Sequence, residues 1–174
     1  MNEQDMITFV KPLYKDKDSM HNFIHVLRIK RHVQLYRMDY PVLNQEKLLF
    51  LIYFHGLQAY VKAHESQTRN IGFPEEYFVA LYRHTRKPKT IEEQLVSDAN
   101  AYEAVGKHGI RRALRIGKER QQSMETTLAL MQQKVNKIWF YTIRGKKFGN
   151  PALKIMIDYL KSVTSCVVKN TKKD

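Results

Sequence analysis

The sequence predicts an all-α protein built as a single-domain helical bundle. Three observations carry this reading. Apolar residues recur at steps of three and four along most of the chain, the period of a helix with one buried face. Only seven glycines and five prolines interrupt 174 residues, and that length suits one domain with one core. Turn-forming and capping residues fall between the apolar runs.

From Asp18 to Tyr36 the residues Met20, Phe23, Ile24, Leu27, Ile29, Val33 and Leu35 keep the helical step, and His21, His25 and His32 share one stripe of it. Asp39-Tyr40-Pro41 ends that helix, because a proline disfavours the helical region for the residue before it. Asn44 reads as the N-cap of a helix from Gln45 to about Ala63, whose run Leu48–Phe54 marks the centre of the bundle and whose buried end carries His55. Gly56 inside that helix costs about 1 kcal/mol relative to alanine. Ser66 to Gly72 is polar and loop-like. Phe73-Pro74-Glu75-Glu76 opens a helix ending near His84, and Arg86–Thr90 is a basic link. Thr90 with Glu93 has the spacing of a capping box, with Ile91, Leu95, Val96 and Ala99 as the apolar face behind it. That helix carries Asp98 and Asn100. Two long amphipathic segments, Gln121 to Thr142 and Pro151 to Val167, complete the array, separated by a basic loop Arg144–Gly149. Residues 1–168 form the domain and residues 169–174 a basic tail expected to fray.

Composition narrows the setting. The formal net charge of +13 draws anions toward the surface, which points to nucleotides, nucleic acid or acidic lipid as partners. The single cysteine, Cys166, cannot close an internal disulfide. The first residues lack a secretory pattern, and no uncharged apolar run is long enough to span a bilayer. A cytoplasmic protein is the expectation.

The histidines and the Asp98 helix carry a resemblance. His21-Asn22-Phe23-Ile24-His25, Phe54-His55-Gly56-Leu57, His84 ahead of the Thr90 helix, Asp98-Ala99-Asn100, and the turn and helix Gly106–Arg112 together resemble the HD-domain phosphohydrolases. The likeness runs from about Asp18 to Thr142 and is nearest to the small bacterial proteins that cleave nucleotides. It implies an HD-domain-like bundle. The family holds its metal with two histidines and two aspartates; carried onto this chain, the histidines are His25 and His55. The aspartate that follows the second histidine and orients the water is Gly56. The later aspartate falls on Asn100 or, in a register shifted by two, on Asp98. The first pair, His-Asp-x-x-His in that subgroup, here has Asn22 in place of the acid.

A metal that splits phosphate esters needs imidazoles and carboxylates together, so that it stays bound and acidifies its water. Amide and glycine bring no charge. The sequence therefore predicts a catalytically impaired HD-domain protein, with no cofactor expected, kept as a binding or regulatory module for a nucleotide or other phosphate-containing anion. In this reading the residual pocket comprises His21, His25, His55, Gly56, His84, Asp98 and Asn100, and the histidines contact phosphate directly. A rival reading is an active nucleotide phosphohydrolase holding manganese, iron, cobalt or nickel through His25, His55 and Asp98, helped by Asn100 or His84. A third is a nucleic-acid-binding protein. Lys107, Arg111, Arg112, Arg115 and Lys118 make a cationic stripe on one helix, suited to phosphate contacts without sequence reading.

Overall fold

The structure, a computed structural model, describes residues 1–170 and side chains through residue 163. Ten α-helices occur among the described residues, and no strand: α1 Glu3–Val10, α2 Phe23–Tyr36, α3 Gln45–Phe54, α4 Gln58–Ala63, α5 Glu65–Arg69, α6 Glu75–Arg83, α7 Ile91–Tyr102, α8 Gly106–Glu119, α9 Met124–Val135 and α10 Ile143–Asn170. Residues 171–174 of the expected tail lie outside the described residues.

Two apolar clusters share α7 as a wall. The first gathers Met6 and Val10 of α1, Val26, Ile29 and Val33 of α2, Phe50, Leu51 and Phe54 of α3, Phe78 and Leu81 of α6, and Leu95, Val96 and Ala99 of α7. Phe50 is its hub, its ring within 4.7 Å of both Phe54 and Phe73. The second joins Ile110 of α8, Met131 and Val135 of α9, Phe140, and Met156 and Leu160 of α10. Ala101 and Tyr102, at the end of α7, pack against it.

Five expectations from the sequence need correction, the smallest being Ser66–Gly72, read as a loop, whose first residues belong to α5 Glu65–Arg69. α2 starts at Phe23, not near Asp18: Asn22 caps it by accepting from His25 N at 3.2 Å, while Asp18 Oδ1 accepts from the amides of Met20 and His21 in a turn of its own. The expected Gln45–Ala63 helix breaks at His55-Gly56-Leu57 into α3 and α4. The Thr90 box is not the usual reciprocal one. Glu93 reaches back to Lys89 N at 3.1 Å, but the Thr90 hydroxyl donates to the Glu93 carboxylate, which is fully buried and clasped by Arg83 at 2.6 and 2.7 Å.

The last correction is the largest. Arg144–Gly149 is not a loop but the opening of α10, with Pro151 inside the helix. Thr142 Oγ1 accepts from Gly145 N at 3.0 Å in the manner of an N-cap, and Asp98 accepts from the amides of Tyr141 and Thr142 and from the Thr142 hydroxyl at 2.6 to 3.1 Å. The glycines read as turn signals are contact glycines. A Cβ at Gly145 would overlap the Asp98 carboxylate, and one at Gly149 would enter the Phe140 ring. The same cap shortens α9, since residues 136–142 are used to bring the chain to Asp98.

Candidate functional site

Three buried imidazoles meet where α2, α3 and α6 present their ends. His25 lies in the first turn of α2, while His55 and His84 are the C-caps of α3 and α6. The rings of His25 and His55 stand edge to face with centroids 5.2 Å apart. His55 Nδ1 lies 2.8 Å from the carbonyl of Ile52, and His84 Nδ1 lies 2.7 Å from that of Leu81. A carbonyl only accepts, so each Nδ1 carries the proton and each Nε2 is left as a lone pair. That of His84 is buried without any partner. Burial pushes all three pKa values down, that of His55 to about 3 with the nearby His25 adding to the effect. His21 stands apart. It precedes α2, is exposed, and bonds Asp18 Oδ1 through Nδ1 at 2.7 Å, its ring 6.4 Å from that of His25.

The acidic side of the expected site is differently used. A Cβ at Gly56 would stand 3.0 and 3.1 Å from the hydroxyl and ring of Tyr14, which is buried and donates to the carbonyl of Tyr53 at 2.9 Å. Any side chain at that position would crowd Tyr14. Asn100 points its amide oxygen at His25 Nε2, 3.2 Å away. Asp98, two residues earlier and so about 200° round the helix, faces the start of α10, where the three donors named above occupy both its oxygens. Asp98, the ligand of the shifted register, is thus turned toward α10 and not toward His25. Among the described residues no group of three or more histidine, cysteine, aspartate or glutamate side chains is placed to hold a metal ion.

A carboxylate that the sequence reading did not single out lies at the centre. Glu103, one turn after Asn100, is 3% exposed. It accepts from Arg28 Nε at 2.6 Å, Arg112 at 2.8 Å and His32 Nε2 at 3.0 Å, and stands 3.6 Å from His25 Nδ1. Burial alone would raise its pKa; His25, His32 and Arg28 more than reverse this and hold it below the ordinary carboxylate range. The spacing held the signal, since Glu103 follows Asn100 by three residues and Arg28 follows His25 by three. Arg112 is thereby withdrawn from the cationic stripe, its guanidinium also donating to the carbonyls of Glu103 and Met20. Lys107, Arg111, Arg115 and Lys118 remain exposed.

Beyond Asn100 a groove of about 240 Å³ runs between the α6–α7 link, α7 and the end of α9. Arg86, Lys134 and Lys137 line it together with Trp139, which is 66% exposed.

Neither a protein-family model nor a curated protein matches the chain significantly. Solved structures do. A protein of Lactobacillus plantarum superposes with a TM-score of 0.72 at 14% identity, over 95% of this chain and 96% of that one. Bacillus subtilis YpgQ, in complex with ADP, superposes at 0.68 with 15% identity, over 94% and 93%. A predicted HD superfamily hydrolase from an uncultured Thermotogales bacterium superposes at 0.57 with 13% identity, over 93% and 91%. The likeness spans the whole bundle in each case, and the chain has the all-helical fold of HD-domain-like proteins.

Proposed function

We propose that the chain is a catalytically impaired HD-domain-like protein that binds a phosphate-containing ligand, a nucleotide foremost, without hydrolysing it. The observation that carries this reading is the lack of a free carboxylate beside the imidazoles, with glycine at position 56 packed against Tyr14. Gly56 brings no charge and even a Cβ there would crowd Tyr14, Asn100 is a neutral amide, and the nearby acids are engaged: Asp98 holds the start of α10, and Glu103 is bound by two arginines. Two lone pairs, on His55 and His84, are the donors left to a cation. Neutral imidazoles without carboxylates do not fit a hydrolytic dication, which needs anionic ligands to stay bound.

The same lone pairs change how an anion is held. Acceptor nitrogens repel phosphate oxygens, so His55 and His84 do not grip a phosphate as the sequence suggested. The groove does so instead, through Lys134, Lys137 and Arg86, with Trp139 as a face on which a base stacks. ADP in the YpgQ complex supports the choice of ligand class. Trp139 is the chain's one tryptophan and reports on the groove directly. Titration with ADP is expected to quench its fluorescence with no release of phosphate when manganese, cobalt or nickel is added. Lys134→Ala with Lys137→Ala should weaken the binding about tenfold or more. An unchanged tryptophan signal and no heat of binding at millimolar ADP would overturn the reading.

The exposed ridge Lys107, Arg111, Arg115 and Lys118 favours a second reading, sequence-independent nucleic-acid binding. Replacing the first three together should weaken binding to unrelated duplexes alike and flatten the salt slope by up to about three phosphate contacts. Absence of binding at low salt eliminates it.

A further inference from the structure

We propose that the outward face of α2 is a docking surface for an acidic amphipathic helix of a partner protein. α2 is apolar on two sides. Its inner side, with Val26, Ile29, Val33 and Tyr36, is buried in the first core. On its outer side Ile24, Leu27 and Leu35, and then Met38 in the short 3-10 turn Arg37–Asp39 that continues the helix, are 42 to 67% exposed. These are four of the twelve large apolar side chains left exposed among the described residues, and they stand in one row. A surface helix ordinarily turns polar residues outward, whereas a helix that is apolar all round is covered on every side.

The spacing selects the occupant. Ile24, Leu27, Arg31, Leu35 and Met38 follow one another at steps of three and four, a row of about 21 Å along the helix. That is the seam along which a second helix lies, its apolar side chains filling the gaps between these. A lipid surface selects no spacing. Charge narrows the choice further. α2 carries no acid. Arg31, in the middle of the row, and Lys107, which lines the same cleft as Arg31 and Leu35, are exposed and have no hydrogen-bond or ion-pair partner among the described residues. The acids on adjoining segments are taken: Asp39 by Arg144 at 3.0 Å, Asp158 of α10 by Lys154 at 2.9 Å, and Glu103 by Arg28 and Arg112. Carboxylates flanking an apolar stripe complement this face. A second copy would bring the same cations to the same place, and a net charge of +13 opposes that pairing.

The probe is a fluorophore-labelled synthetic helix of about three heptads, with leucine at the two seam positions and glutamate on either side, titrated with the full chain. Its control has the same composition with the leucine spacing scrambled. One-to-one binding of the first peptide and none of the second is expected. Leu27→Ser with Met38→Ser should weaken binding about tenfold or more, while Val79→Ser with Leu130→Ser, an exposed apolar pair elsewhere, should leave it unchanged. Arg31→Ala with Lys107→Ala should weaken it severalfold and flatten its salt dependence, whereas Lys11→Ala with Lys15→Ala, an exposed pair removing the same charge elsewhere, should not. The Tm should stay level in all four variants, because each changes exposed side chains only. No binding overturns the proposal, and so does equal binding of the scrambled peptide or equal loss in the two apolar pairs. Binding to phosphatidylserine vesicles that Leu27→Ser with Met38→Ser removes, with the peptide unbound, assigns the face to lipid and overturns it. A dimer in sedimentation that the same variant splits assigns the face to a second copy and overturns it likewise.

Discussion

At the scale of single residues the structure turns on the groups packed around the histidines. Gly56 is a packing residue for Tyr14, and its cost in a helix does not arise because it sits at the break between α3 and α4. Gly56→Ala should therefore destabilise by about 1–3 kcal/mol through overpacking, measured by urea unfolding. The penalty should shrink in a Tyr14→Phe background, because the hydroxyl is the nearest atom; equal penalties in both backgrounds would place the strain elsewhere. Glu103 is the opposite case, a buried carboxylate held by several cations. Glu103→Gln should cost about 3–5 kcal/mol, since it leaves Arg28 and Arg112 without their anion.

At the scale of elements the joint between α7 and α10 organises the second half of the molecule. Asp98 binds the chain entering α10, and Gly145 lies against that carboxylate with no room for a side chain. Asp98→Asn should lower stability by about 1.5–3 kcal/mol through loss of charge-assisted hydrogen bonds. Gly145→Ala should cost at least as much although alanine is the better helix former, and a stabilised Gly145→Ala would contradict the joint as described. This joint was the part of the fold least legible in the sequence. Helical spacing of apolar residues marked α2 and α7, the unbroken run Leu48–Phe54 marked α3, and proline with acids in the first turn marked α6. Gly145 and Gly149 gave the same letters as a turn, and only a partner distant in sequence, Asp98 or Phe140, shows that they mark close approach. The site divides the same way. His25, His55 and Asn100 were singled out through the resemblance and Glu103 is traceable only through its three-residue spacing from Asn100, whereas Tyr14 and the groove cations act across the fold, where no local pattern signals them.

At the scale of the whole molecule, burial of neutral histidines makes stability depend on pH. The folded pKa of His55 is about 3, below the ordinary histidine value, and those of His25 and His84 are also lowered. As pH falls from about 6.5 toward 3, the unfolded chain takes up protons that the folded chain refuses, so stability is complete above that window and declines within it. Glu103, lowered below its ordinary value, adds to the loss further down, below about 4.3. Urea unfolding between pH 7 and pH 5 should lose up to about 1.4 kcal/mol per pH unit for each histidine that stays neutral. A His55→Leu variant should show a slope shallower by up to one proton, and a flat profile in the parent would contradict the buried neutral cluster.

The central claim is that the imidazole cluster no longer supports metal-dependent hydrolysis while the fold still offers an anion a place to bind. Elemental analysis of the protein, purified without chelators or a histidine tag and combined with a nucleotide hydrolysis assay on the same sample, tests it most directly. The expected result is far less than one transition metal per chain and no turnover when manganese, cobalt or nickel is supplied. Stoichiometric metal, with turnover that disappears in His55→Ala, would contradict the claim.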